Sequence, residues 1–228
     1  MRSSNHNDIV PIPQYQNPKN LYQNTTTANA TIGYPIIRDS RGFLYTVSEF
    51  NFYTLDMSGS GVPSIDQGGD ISTGVLRQSL VYSRNDGQSS TFRAGLTASA
   101  GKSGVQYFGN QALNNANFYD LRLGSGYTTP LDNIWTGLGL RVEGMGQWTT
   151  STVPNVEKYF LGDYTRLRGY GYSEVIGDIG VNGTFELSQY FPIGIPYLGS
   201  VAPFVFADGG WVKQNTYAPG FITQLPLA

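Results

Sequence analysis

An antiparallel up-and-down transmembrane β-barrel is the all-β fold class that this sequence predicts, on three observations. Apolar and polar residues alternate with period two over long segments, with no competing helical periodicity. The connections between those segments alternate between short and long, as turns on one side of a membrane and loops on the other would require. Charged residues are only 13% of the chain while Gly (29) and Tyr (16) are abundant; an ordinary soluble domain is roughly 25% charged.

The elements follow in order. Thr25–Ile37, Phe43–Met57 and Gly74–Arg84 are strand-like with looser alternation. In Thr91–Ala100, Phe92, Leu96 and Ala98 oppose Arg93, Thr97 and Ser99. In Tyr119–Thr129, Tyr119, Leu121, Leu123 and Tyr127 oppose Asp120, Arg122, Gly124, Gly126 and Thr128. Ile134–Trp148 is the clearest segment: Leu138, Leu140, Val142 and Trp148 lie on one side, Arg141, Glu143 and Gln147 on the other. Val181, Gly183, Phe185 and Leu187 then oppose Asn182, Thr184, Glu186 and Ser188, and Val201–Lys213 is the last of about eight strands. The short connections are Arg38–Gly42, Asn85–Ser90 and Pro130–Asn133; the long ones are Ser58–Thr73, Lys102–Phe118 and Thr149–Ile179; Pro192–Ser200 is a stretched turn. A soluble sandwich or lipocalin-like barrel would share the alternation, with core and solvent replacing lipid and lumen. It would not sort its connections by parity.

In hydrocarbon every backbone polar group needs an internal partner, so a spanning sheet must close on itself. About 9–11 tilted residues suffice to cross. One face then meets lipid, and the other carries Asp120, Arg122, Arg141 and Glu143 as lumen-lining residues. Tyr34, Tyr82, Tyr127 and Trp148, near strand ends, suit the interfacial girdles.

Several chemistries are excluded. There is no Cys, so no disulfide or thiolate metal site can form. His6 is the single histidine and lies in a polar leader, which removes a Ser-His-Asp site and multi-histidine zinc. Gly101-Lys102-Ser103 resembles the end of a phosphate loop, but Leu96 stands where the first Gly is needed. The loop around Asp66-Gln67-Gly68-Gly69-Asp70 lacks the ligand spacing of a calcium loop. A net charge of −2 gives no basic face for nucleic acid. Both signs of charge on one wall fit ion pairs better than acid–base catalysis. No catalytic residue, metal site or small-molecule cofactor is expected.

The second half carries recognisable residues. Tyr159-Phe160-Leu161-Gly162-Asp163-Tyr164-Thr165-Arg166-Leu167-Arg168-Gly169-Tyr170 resembles the Val-Arg-Gly-Tyr loop motif of outer-membrane barrels with periplasmic POTRA domains. Gly177-Asp178 followed by Phe185-Glu186-Leu187 is similar to the strand after that loop, and Pro203-Phe204-Val205-Phe206-Ala207-Asp208-Gly209-Gly210 to the family's Phe-x-Asp-x-Gly strand. Leu121-Arg122-Leu123-Gly124, Thr129-Pro130-Leu131 and Gln147-Trp148 resemble the transporter branch, the haemolysin secretion/activation proteins of two-partner secretion. The resemblance covers roughly Thr25 to Lys213 and is strongest over Phe118–Trp211. Leu167 replaces the usual Val, and Asp163 a common second Gly.

The resemblance implies a Gram-negative outer-membrane barrel of roughly sixteen strands that exports a large haemolysin- or adhesin-like partner. It also implies that the long loop folds into the lumen, where Arg168 pairs with Asp208 as a latch for barrel integrity and gating. Gly169 would bend the backbone and Tyr170 would pack on the wall; Gly162, Asp178, Glu186, Phe206 and Gly210 complete the motif strands. Parity agrees, since Asp208 shares a face with Phe204 and Phe206, opposite Val201, Val205 and Ala207. The expected organisation is a polar leader or loop remnant at 1–24 and a haemolysin-activator-type barrel domain at 25–228, incomplete at both ends. No signal peptide, POTRA domain or final aromatic-ended strand is read, so the eight strands are expected to be the sixth to thirteenth, an interior fragment. The expected partners are the secreted protein and outer-membrane lipid. An assembly insertase of the same superfamily, and a soluble β-domain with a binding or structural role, are the alternatives.

Overall fold

The computed structural model describes residues 2–3, 21–59, 69–87, 89–107, 111–164, 167–195 and 198–215. The strands are β1 (Arg2–Ser3), β2 (Leu21–Arg38), β3 (Gly42–Gly59), β4 (Gly69–Asn85), β5 (Thr91–Tyr107), β6 (Gln111–Pro130) and β7 (Leu138–Thr149). After a 3-10 turn, η1 (Asn155–Glu157), come β8 (Tyr159–Leu161), β9 (Val175–Gly177), β10 (Ile179–Gln189), β11 (Phe191–Ile195), β12 (Leu198–Val201) and β13 (Phe204–Lys213). The main sheet follows chain order, β1-β2-β3-β4-β5-β6-β7-β10-β13, while β8–β9 and β11–β12 form separate hairpins. Sequential antiparallel neighbours make this an up-and-down, all-β fold.

The chain forms two compact units. The first comprises Met1–Tyr34, Thr46–Ser79 and Ala98–Tyr119. Its buried face carries Thr73, Val75, Ser99, Ser103 and Phe118. The Thr73 and Ser103 hydroxyls share a hydrogen bond of 3.0 Å, and Arg77 pairs with Glu49 at 3.1 Å. Phe118 lies over Gly101, where an added Cβ would fall 2.2 Å from the ring. The residues that resembled a phosphate loop are therefore strand residues shaped by a neighbouring aromatic.

The second unit comprises Pro35–Tyr45, Leu80–Thr97 and Asp120–Ala228. In it, register sorts side chains into rows that cross β6, β7, β10 and β13. One face carries Arg122–Gln147–Gly180–Val212, Gly124–Met145–Asn182–Gly210, Gly126–Glu143–Thr184–Asp208 and Thr128–Arg141–Glu186–Phe206. The opposite face carries Leu123–Gly146–Val181–Trp211, Tyr127–Val142–Phe185–Ala207 and Thr129–Leu140–Leu187–Val205. Leu123, Tyr127, Val142, Val181, Phe185, Val205 and Trp211 on that second face are all exposed. A continuous apolar sheet face is an aggregation liability in water and suits a lipid-facing wall.

Among the places where the strands depart from the expected boundaries, three have a clear local reason. The connection expected over Lys102–Phe118 is mostly strand, because β5 continues to Tyr107 and β6 starts at Gln111. Backbone ladders need no apolar side chains, so the pairing continues where the hydrophobic pattern stops. The strand expected from Ile134 begins instead at Leu138. Residues 131–137 form a turn in which the Ile134 and Trp135 N–H groups donate to Leu131 O. That turn is closed by a left-handed Gly137 (φ +82°) whose N–H donates to Asp132 Oδ1 at 2.7 Å. Finally, Val201 belongs to the β11–β12 hairpin, not to the strand of Asp208. Pro203, which has no N–H to give, separates β12 from β13. Residues 1–24 contain β1 and the start of β2 at Leu21. His6, Asp66, Gln67, Gly68 and the last thirteen residues, 216–228, lie outside the described residues.

Candidate functional site

The site is assembled by the excursion between β7 and β10. Its two limbs pair as β8 and β9, with Tyr159 opposite Gly177 and Leu161 opposite Val175. Between them the chain reverses at Gly162 (φ +99°), where a Cβ would lie 2.2 Å from Gly171 O. Only glycine fits there. The Arg168 turn uses two more left-handed residues, Leu167 (φ +54°) and Gly169 (φ +107°). A β-branched side chain is a stronger outlier in that region, so Leu167 in place of Val relaxes the turn.

The excursion lies on the polar face of the sheet, and glycines make room for it. A Cβ at Gly180 would lie 2.1 Å from Tyr159 Cδ1, and one at Gly210 would lie 2.8 Å from Leu167 Cδ1 and 3.0 Å from Leu161. The Tyr159 hydroxyl shares its single proton between Asn182 Oδ1 and, at 3.1 Å, Met145 O.

Arg168 is held by three groups of bonds. Its Nε donates to Asp208 Oδ2 at 2.9 Å and its Nη2 to Asp208 Oδ1 at 3.0 Å. Its backbone N–H donates to Asp208 Oδ2 at 3.0 Å, and its Nη1 to Glu186 Oε2 at 2.5 Å. The guanidinium also stands 3.7 Å over the centroid of Phe206 and 5.9 Å from that of Phe204. Such a planar fork satisfies a carboxylate bidentately and stacks on a ring at once. The Asp208 side chain is only 4% exposed and that of Arg168 18%, so water competes little. Bonding to Asp208, and then to Glu186, pushes the Arg168 pKa further above its ordinary value against the opposing effect of burial.

The remaining residues singled out in the sequence divide between this cluster and its surroundings. Asp120 and Arg122 pair at 3.0 Å, and Arg122 also reaches Glu157 at 2.7 Å. Arg141 and Glu143 pair with each other at 2.8 Å and stay half exposed; Arg141 faces Glu186 across the β7–β10 ladder. Asp178 is fully buried, and its carboxylate accepts the N–H groups of Val153 (3.0 Å) and Asn215 (2.7 Å). Tyr170 is 56% exposed and caps the turn, its N–H donating to Leu167 O at 3.2 Å. Sequence reasoning treated Glu186 only as a motif residue. Its inward parity beside Thr184 was the signal that it could reach an arginine. Glu157 was missed altogether, since nothing periodic surrounds it.

Among the described residues no group of His, Cys, Asp and Glu is arranged to hold a metal ion. The geometry is that of a loop held to the polar face of the sheet by partly buried ion pairs.

No curated protein matches the chain. Among solved structures, CdiB from Acinetobacter baumannii is similar, with a TM-score of 0.64 over 91% of this chain at 15% identity. The match covers 35% of CdiB, so this chain spans about a third of its length, and at such identity the likeness shows the fold alone. The model of the haemolysin secretion/activation proteins ShlB/FhaC/HecB matches residues 59–224. Its match takes in the Arg168 turn, the Glu186 strand and the Asp208 strand. This chain belongs to the ShlB/FhaC/HecB family of haemolysin secretion/activation proteins.

Proposed function

We propose that the chain forms part of the wall of a Gram-negative outer-membrane pore that secretes a large partner protein of haemolysin or adhesin type. In this reading the polar face of β6, β7, β10 and β13 lines the lumen and the apolar face meets outer-membrane lipid. Arg168, with Gly169 and Tyr170, latches the long loop inside the pore through Asp208 and Glu186. The latch performs no bond chemistry, and the pore acts without a cofactor, metal or nucleic acid. It holds the loop against the wall and gates the path of the exported chain.

The observation that carries this reading is the Arg168–Asp208–Glu186 cluster, charged, nearly dry and fixed from one side by a loop and from the other by two strands. A buried charge without its partner is strongly unfavourable, so the loop remains docked while the three groups are together. The test is secretion from the natural gene beside its cognate partner. Arg168→Ala and Asp208→Ala are each expected to lower export while the chain stays in the outer-membrane fraction. Full export from both variants would remove the latch, and a chain recovered in the soluble fraction would remove the pore.

A further inference from the structure

The root of the loop is fastened separately from its tip. Arg122 Nη2 donates to the Glu157 carboxylate at 2.7 Å and to the Glu157 carbonyl at 3.1 Å, while Nε sits 3.0 Å from Asp120. Gln147 Nε2 donates to Glu157 O (2.9 Å) and to Asp178 O (3.1 Å), tying the entry of the loop to its exit. Asn215 Nδ2 adds bonds to Thr149 O and Ser151 O at 3.3 and 2.9 Å. Asp120, Gln147, Glu157 and Asp178 are all buried. None of these bonds involves Arg168, Asp208 or Glu186. The tip, by contrast, exposes Tyr164, Tyr170 and Tyr172, and a Cβ at Gly169 would meet nothing within 4 Å.

We propose that Arg122, with Asp120, Glu157, Gln147 and Asp178, forms a second anchor that positions the loop root on the wall. Breaking the Arg168 bonds then frees only the turn that carries Arg168, while β8, η1 and the exit at Asp178 stay in place. The moving part of the gate is a short tip on a fixed stem, and Arg122 and Glu157 are positioning residues that set where that tip pivots. The tip half of this inference rests on the proposed latch; the root half does not.

Paired nitroxide labels are placed on introduced cysteines, this chain contributing none of its own, with any cysteine elsewhere in the whole transporter first replaced by serine. One pair, on Asn155→Cys and Leu123→Cys, reports the root; the other, on Tyr164→Cys and Leu123→Cys, reports the tip. Distance distributions are measured by pulsed electron resonance on the whole transporter in lipid. Its folded state is checked by heat-modifiable gel mobility. Arg168→Ala is expected to broaden the tip distribution and leave the root narrow. Glu157→Gln and Arg122→Gln are each expected to broaden the root, and Glu157→Gln serves alone if the arginine variant does not fold. Equal broadening of both pairs by Arg168→Ala would show a loop that moves as one body. A root that stays narrow in Glu157→Gln would show that the anchor does not hold it; either result overturns the proposal. A tip that stays narrow in Arg168→Ala, with a broadened root in Glu157→Gln, would overturn the latch and keep the anchor.

Discussion

Asp208→Ala and Glu186→Ala should loosen the Arg168 turn by unequal amounts. Asp208 accepts from Nε, Nη2 and the backbone N–H of Arg168, whereas Glu186 accepts from Nη1 alone. Removing one partner of a buried pair costs about 3–5 kcal/mol. The low end applies to Asp208→Ala, because Glu186 still balances the guanidinium at 2.5 Å and Arg168 keeps a margin of solvent. Losing a single hydrogen bond to a charged group costs about 1.5 kcal/mol. At about 1.4 kcal/mol per decade, the loop should undock roughly 150-fold more often in Asp208→Ala and roughly 12-fold more often in Glu186→Ala. Amide hydrogen exchange at Tyr170 and Ser173 reads this, since their N–H groups are bonded to Leu167 O and Gly162 O, acceptors that neither substitution removes. A larger effect from Glu186→Ala, or none from either, would mean that the cluster does not control docking.

Three further outcomes follow from the packing, the exposed apolar face and the turns. Gly180→Ala puts a Cβ 2.1 Å from Tyr159, whereas Gly209 has open space around it. The first should lower the urea midpoint by an overpacking cost of about 1–3 kcal/mol, and Gly209→Ala should leave it nearly unchanged; equal midpoints would contradict the glycine account. Phe185→Arg, on the exposed apolar face, should weaken folding into vesicles by about 2–4 kcal/mol if it sits near the midplane. No loss there would argue against lipid on that face. Asp39, in the turn after β2, accepts the N–H groups of Arg41 and Gly42 at 2.7 and 2.8 Å, which holds its pKa below the ordinary value. Its contribution is therefore complete above the unfolded pKa of about 3.9 and lost as pH falls through the lower, folded one. A carboxyl titration by NMR should give a value under the ordinary one, and a value at or above it would refute the turn geometry.

How much of this was legible depended on what each residue's neighbours were. Period-two alternation marked β6, β7 and β10 because their two faces meet different surroundings, and Asp208's parity put it on the face of Gly126, Glu143 and Thr184. Alternation failed where side chains do not decide pairing. The outer parts of β5 and β6 remain strand although their sequence does not alternate, and Ile134 and Trp135 continue the pattern by coincidence inside a turn. The loop was readable at Arg168 because its motif is local. Its fastening to Arg122 was not, since Glu157 lies 35 positions away from its partner and nothing in the intervening sequence marks the pair.

Leu167 and Gly210 give the most direct test that the loop tip is docked on the wall and must move for export, since a Cβ at Gly210 would lie 2.8 Å from Leu167 Cδ1. The double variant Leu167→Cys, Gly210→Cys is expressed from the native gene. The account predicts that a short bis-methanethiosulfonate crosslinker joins the two thiols, that the crosslink blocks secretion of the partner, and that reduction restores secretion. Two thiols that both alkylate, or a crosslinked chain that secretes at the reduced rate, would contradict it.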